Sequence, residues 1–298
     1  MSDATGAAPI AGVSATVHSQ VMAASDANGY AVLWAQYAGQ HEATFSGSPV
    51  VTRTTSLKIP AGETSISLIP AAFDMAAFNQ MFRPSQRLQR WTAAPALVIL
   101  TRAVQYEGNY ANNPVVLDEE MTDAEREQLQ RDFSDGFAML TDRRLGGFSS
   151  VTFESPAPGS RVNVMRTGVV LVARSKGLTA GTPEHYWGYG RWATTSAGAV
   201  VGGNVMVDYD FDCPSSAYPQ FRRCLRIHEL GHALGYNHVT ARQSVMNSSA
   251  RLEPNGWDAQ AVRIAFQRPP GNTAPDNDPS EFSANVRTGA VTWSPPIF

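Results

Sequence analysis

The sequence predicts an α+β protein: a small β-rich domain, then a body built from a twisted mixed sheet, one helix carrying polar residues at fixed spacing, and a final helix. Three observations predict it. Segments rich in β-branched and aromatic residues, punctuated by Gly and Pro, crowd into residues 13–106. Past residue 120 the apolar spacing shifts to four and three, first at Leu129, Phe133, Phe137 and Leu140. His228 and His232 then stand four residues apart, one turn above each other on the same helix face.

In chain order, residues 1–12 are rich in Ala, Gly and Ser and read as a disordered N-terminus. Residues 13–110 form the β-rich domain, with strands expected at 30–37, 50–59, 64–69 and 96–104. Pro60-Ala61-Gly62 suits a hairpin turn between Ile59 and Thr64. Phe73, Met75, Phe78 and Met81 suit either a helix or a hydrophobic loop, and carry no chemistry. The polar connection 106–117 marks a domain boundary, and the second domain spans 111–270. Thr122 and Glu125 fit a capping box that starts a helix closed by Gly146-Gly147. Strands follow at 148–153, 161–164 and 168–174. In the last, Val169-Val170-Leu171-Val172 is apolar on both faces, as in a central strand covered on both sides. A Gly and aromatic-rich segment, 185–193, leads into a strand at 204–209. The helix 221–234 turns Ile227, Leu230 and Leu234 to the sheet and keeps His228 and His232 on a separate line. Ser244-Val245-Met246-Asn247 forms a turn, 257–267 the last helix, and Arg268-Pro269-Pro270 its stop. Residues 271–298 form a Pro, Asn and Asp-rich C-terminal tail on the surface.

Composition excludes several functions. A net charge of −3 without charge runs leaves no footprint for nucleic acid or an anionic membrane surface. The longest apolar runs, 96–100 and 168–173, are too short to span a bilayer. The first residues lack the basic segment and apolar core of a secretory signal. Cys213 and Cys224 can bridge in an oxidising compartment and clamp the loop before the histidine helix, the favoured reading, or remain small buried thiols. They lack the C-x-x-C spacing of zinc ligands. Asp276, Asp278 and Glu281 are candidate Ca2+ ligands, with a solvated acidic tail as the simpler reading.

Chemistry concentrates in the eleven residues from His228 to His238. Gly235, three residues after His232, can take the left-handed conformation that ends a helix, and the turn brings back His238 as a third ligand. Three neutral imidazoles with an open fourth position suit a catalytic zinc ion. Glu229 sits beside that ion.

This stretch resembles the metzincin zinc endopeptidases in every fixed position, and Met246 falls where their Met-turn methionine lies. The resemblance covers about residues 115–270. Within the family it is most similar to the matrixins, through Gly190 to Ala193, matching their edge strand, and Gly202 to Asp208, matching the strand before the active-site helix. It implies one catalytic Zn2+ held by His228, His232 and His238, with Glu229 as general base and Met246 as an apolar floor. It also implies a protein or peptide substrate paired with segment 187–196, specificity in the loop between Met246 and Trp257, and a secreted, periplasmic or extracellular setting.

Several positions depart from the family. Thr194 and Met206 stand where matrixins hold a second, structural zinc, so none is expected. Phe211 replaces the acidic partner with which Asp208 would share a calcium. Val239 fits no common subfamily, and Ser248 replaces the tyrosine ligand of astacins and serralysins. The N-terminal domain has no cysteine for a cysteine-switch latency, and its role stays open. Three rivals remain: a gluzincin-type peptidase with Glu253, 21 residues after His232, as third ligand; a non-catalytic zinc-containing binding or adhesion protein; and an intracellular protein with reduced cysteines. Glu229 weighs against the second, because a structural zinc needs no base.

Overall fold

Val169–Lys176 is the axis of the main sheet, as its two apolar faces require. In the computed structural model, which describes residues 1–107, 112–178, 186–280 and 290–298, it pairs in parallel with Ala96–Leu100 on one side and Ala199–Asp208 on the other. Val151–Glu154 extends the sheet in parallel beyond Ala96–Leu100, and Arg102–Gln105 joins Val115–Glu120 antiparallel. Gly188–Thr195 runs antiparallel to Ala199–Asp208. With Arg90–Trp91 and Val291–Trp293, this mixed sheet has nine strands among the described residues.

Side chains alternate across the central strand and build a core on each face. Val170 and Val172 join Phe133, Phe137, Ile227 and Leu230, while Leu171 and Ala173 join Val98, Val162, Val164 and Met206. The first face is covered by helices Asp123–Leu140 and Arg222–Ala233. The capping box forms: the Thr122 hydroxyl accepts from the Glu125 amide, and the Glu125 carboxylate accepts from the Thr122 amide. Full burial of Leu129, Phe133, Phe137 and Leu140 is worth about 2 kcal/mol each, which fixes the helix to the sheet by its apolar face. At Gly136 a Cβ would lie 3.1 Å from Ile227, so glycine lets the two helices approach closely there. Arg226, on the motif helix, is buried between Asp132 at 2.6 Å and Asp212 at 2.7 Å. Asp212 also pairs with Arg174 at 2.8 Å. Losing one member of this network would leave a buried charge without a partner, so it holds the helix in one register.

The β-rich part forms a separate antiparallel sheet of Gln20–Val21, Ser14–Val17, Gly39–Ser46 and Arg53–Ile59, with Val13, Ala15, Ala43, Phe45 and Leu68 as its core. It ends earlier than the expected 13–110 span. Helix Met75–Phe82 buries Ala77, Phe78, Met81 and Phe82 in the main core, and Ala96–Leu100 finds its partner at 169–172. The expected strand at 30–37 does not form; Tyr30, Val32, Trp34 and Tyr37 are exposed. Propensity alone cannot supply a pairing partner. No hairpin turns at 60–62 either, since Ser67–Leu68 pairs with Ser2–Asp3. Residues 1–12 are therefore not a loose terminus: Ala4 is fully buried, and Gln267 and Arg263 donate to the Ala4 and Thr5 carbonyls. Residues 161–164 contribute to the core without forming a strand.

Two further expectations change. Cys213 and Cys224 are both free thiols. They face different neighbours: Cys213 lies 3.1 Å from the Ser215 hydroxyl, while Cys224 lies 3.6 Å from the Glu253 carboxylate. Asp276 and Asp278, the candidate calcium ligands, are paired with arginines rather than solvated. Asp276 is buried against Arg268 at 2.7 Å and Asp278 pairs with Arg53 at 2.8 Å, so each carboxylate already has a cation. Glu281 lies outside the described residues. Among the described residues, no helix is long and apolar enough to cross a membrane.

Candidate metal centre

The motif helix ends where Gly235 reaches a φ of +98°. The Tyr236 amide bonds back to the Gly231 carbonyl at 3.0 Å and the Gly235 amide to His232 at 2.9 Å, the paired bonds of a Schellman cap. A Cβ at Gly235 would also come within 2.8 Å of Val200, so both conformation and space require glycine. The reversal delivers His238. Its Nε2 lies 3.2 Å from Nε2 of His232 and 3.3 Å from Nε2 of His228, and those two lie 3.1 Å apart.

Three ring nitrogens do not converge in this way for their own sake. The Nδ1–H of His228 donates to the Val245 carbonyl at 2.8 Å, and that of His232 to the Tyr236 carbonyl at 2.7 Å. Each of these rings has used its proton on the outer nitrogen, so its Nε2 presents a bare lone pair to the shared centre. Burial pushes the His228 imidazole down to about 4 and that of His232 well below its ordinary value; His238, less buried, is also lowered. The rings are thus neutral at neutral pH, the form a metal requires. His228, His232 and His238 could hold a metal ion and are the grouping of that kind found among the described residues.

Glu229 stands beside them, 2 % exposed, and its Oε2 is buried without a hydrogen-bond partner. Burial raises its carboxyl well above the ordinary carboxylate range, while a neighbouring cation favours the charged form. An orphan acceptor next to three converging lone pairs fits a site whose remaining partners are a cation and its water.

Met246 is fully buried against the motif helix. Its Sδ lies 2.3 Å from where a Cβ on Gly231 would stand, so the helix carries glycine there to seat it. The turn is held from behind by Asp258, a residue sequence reading left as an ordinary position in the last helix, Gly256–Phe266. Its carboxylate accepts from the Ser244 hydroxyl at 2.6 Å, the Val245 amide at 3.0 Å and the Asn255 amide at 2.9 Å. Asp258 therefore holds Val245, the residue whose carbonyl orients His228. The Asn255-x-x-Asp258 spacing was its only sequence signal, as a capping box. Asp258→Ala is expected to lower metal affinity about 10–100-fold, the usual cost of an outer hydrogen-bond partner. Competition against a chelating dye measures it; unchanged affinity would show that the turn holds itself.

Gly188 and Gly190 were also missed as site residues. A Cβ at Gly188 would lie 3.0 Å from Glu229, and one at Gly190 2.3 Å from the His232 Cβ and 2.5 Å from the Glu229 carbonyl. Only glycine lets strand Gly188–Thr195 lie directly on the motif helix. A cleft of about 280 Å³ opens there, lined by Tyr186, Trp187, His228, Glu229, Ser248 and Phe298 among others. Glu253 is elsewhere, 3.3 Å from Arg223, and is not part of the histidine cluster. Asp208 caps a short helix by accepting from the Phe211 amide at 3.0 Å.

No known protein-family description and no curated protein matches this chain.

Proposed function

We propose that the chain is a zinc-dependent endopeptidase of metzincin type, its catalytic domain formed by the main sheet, the motif helix and the last helix. One observation carries the reading: three Nε2 atoms, 3.1–3.3 Å apart, two of them on rings whose Nδ1–H is already donated, converge beside a buried glutamate whose Oε2 has no partner. Tetrahedral zinc with Zn–N bonds of about 2.0–2.1 Å spaces its ligand nitrogens by about 3.3 Å, so the residues fit the ion.

When bound, zinc lowers the pKa of its water and polarises a peptide carbonyl. The protein's residues do the rest. Glu229 takes the water's proton on its free carboxylate oxygen and later gives a proton to the departing amine nitrogen. His228 and His232, held by the Val245 and Tyr236 carbonyls, keep the ligand atoms fixed in direction. Met246 excludes water from beneath. The backbone of strand Gly188–Thr195, lying against the helix, offers an extended peptide a pairing edge next to Glu229.

Incubation with an unfolded protein should yield internal cleavage that a chelator stops and added zinc restores. Intact substrate in the presence of zinc would favour the binding-protein reading instead.

Acid should strip the metal. The unfolded chain protonates its imidazoles near the ordinary value of 6.5, while folded His228 resists until about 4. Between those values the unfolded state binds more protons, so stability falls as pH falls, and protons compete with zinc for the same nitrogens. Metal content is expected to be full at neutral pH and to fall only as the pH approaches about 4, where folded His228 takes up its proton. Metal analysis after dialysis at stepped pH measures this, and full retention at the acid end would contradict it.

A further inference from the structure

The edge of strand Gly188–Thr195 that faces away from Ala199–Asp208 is already taken. Val291–Trp293 lies along it antiparallel, with Ala193 opposite Trp293 and Thr195 opposite Val291. The pairing continues past the strand. The Ser294 amide donates to the Trp192 carbonyl at 2.8 Å, and Arg191 Nε donates to the Ser294 carbonyl at 2.9 Å. Gly190 exchanges both backbone bonds with Ile297, at 3.2 and 3.1 Å. Gly190 is the residue that touches His232 and the Glu229 backbone, so Ile297 is registered beside the metal-ligand helix.

The side chains pack along the same edge. The Trp293 ring sits 3.1 Å from where a Cβ on Gly202 would be. Phe298 packs on Tyr186 at 4.3 Å and Tyr189 at 5.4 Å between ring centres, and lines the cleft that also holds His228 and Glu229. Part of the stretch is open to solvent. Val291 and Thr292 are exposed, and Pro295 and Pro296 have no N–H to give, so the ladder is broken between Ser294 and Ile297. An extended, antiparallel, apolar peptide, anchored by a few backbone bonds and displaceable, is what β-strand addition takes as its ligand.

We propose that residues 291–298 are a built-in occupant of the peptide groove, so that the folded chain restrains its own activity until this stretch is displaced. The inference rests on the endopeptidase reading above. It also assigns the groove a ligand class: an extended peptide with bulky apolar residues in the places of Trp293, Ile297 and Phe298.

The test uses the full chain loaded with zinc. Ser294→Pro with Ile297→Pro removes the two amides that bond to Trp192 and Gly190. If each contributes as a typical hydrogen bond, kcat/KM toward a quenched fluorescent peptide should rise roughly thirtyfold. Zinc content should be unchanged. A synthetic peptide covering 290–298, added in trans, should inhibit the variant competitively. Trp293→Ser, which leaves every backbone group in place, should raise the rate in the same direction and covers the case of a misfolded double variant. Equal rates in wild type and both variants, all of them active, would overturn the occupant alone. No cleavage by wild type or variants would remove the endopeptidase reading and this inference with it.

Discussion

Glu229→Ala is expected to keep its zinc and to lose about 10²–10⁴-fold in kcat/KM for peptide hydrolysis, the range attributed to a positioned general base. The separation of the two effects follows from the structure. The atoms that converge on the shared centre belong to His228, His232 and His238, and Glu229 is not among them. Its carboxyl is buried, has one oxygen without a partner, and faces a strand that carries Gly188 to leave it room. Truncation therefore removes an acidic group placed to move a proton there without disturbing a ligand. Folding should not suffer either, because a buried carboxyl without a charged partner costs burial free energy in the folded state. Metal stoichiometry, thermal midpoint and kcat/KM, measured on the same preparation, check all three statements. Full activity in the variant would remove Glu229 from the reaction.

His238→Ala should weaken zinc binding by more than the about 10–100-fold that an outer partner costs, since it removes a ligand itself. Glu253→Ala should leave zinc in place. The two variants divide the metzincin and gluzincin ligand sets. His238 brings its Nε2 within 3.3 Å of both partners, whereas Glu253 is held by Arg223 at 3.3 Å and faces the Cys224 thiol. Metal content after gel filtration reads the difference directly. Retention in His238→Ala with loss in Glu253→Ala would reverse the assignment.

The histidine site was legible because its signals are local. Ligand spacing, the glycine that reverses the chain and the Met246 turn all lie within nineteen residues, from His228 to Met246, where helix periodicity and left-handed glycine decide geometry. The capping box at Thr122 and the two-faced strand at Val169 were readable for the same reason. What escaped was non-local. Residues 30–37 have strand-forming side chains but find no partner, while Ala96–Leu100, placed in the N-terminal domain by sequence proximity, pairs with a strand some seventy residues on. Asp276 and Asp278 look like solvated acids until Arg268 and Arg53 are brought to them. Cys213 and Cys224 sit at a spacing compatible with a bridge, yet their local folds turn the thiols to different neighbours. Asp258 supports the site from a helix whose start was visible, but its role depends on Ser244 and Val245 arriving beside it. The resemblance implies a peptide-pairing edge at 187–196; that residues 291–298 lie on it depends on a contact across about a hundred residues.

The most direct test of metal-dependent peptide hydrolysis at this site is digestion of an unbiased peptide library by the zinc-loaded chain, in parallel with Glu229→Ala, read by mass spectrometry. The account predicts new internal termini in the wild-type digest, clustered by sequence preference and absent from the Glu229→Ala digest. Identical termini in both digests, or none in either, would contradict it.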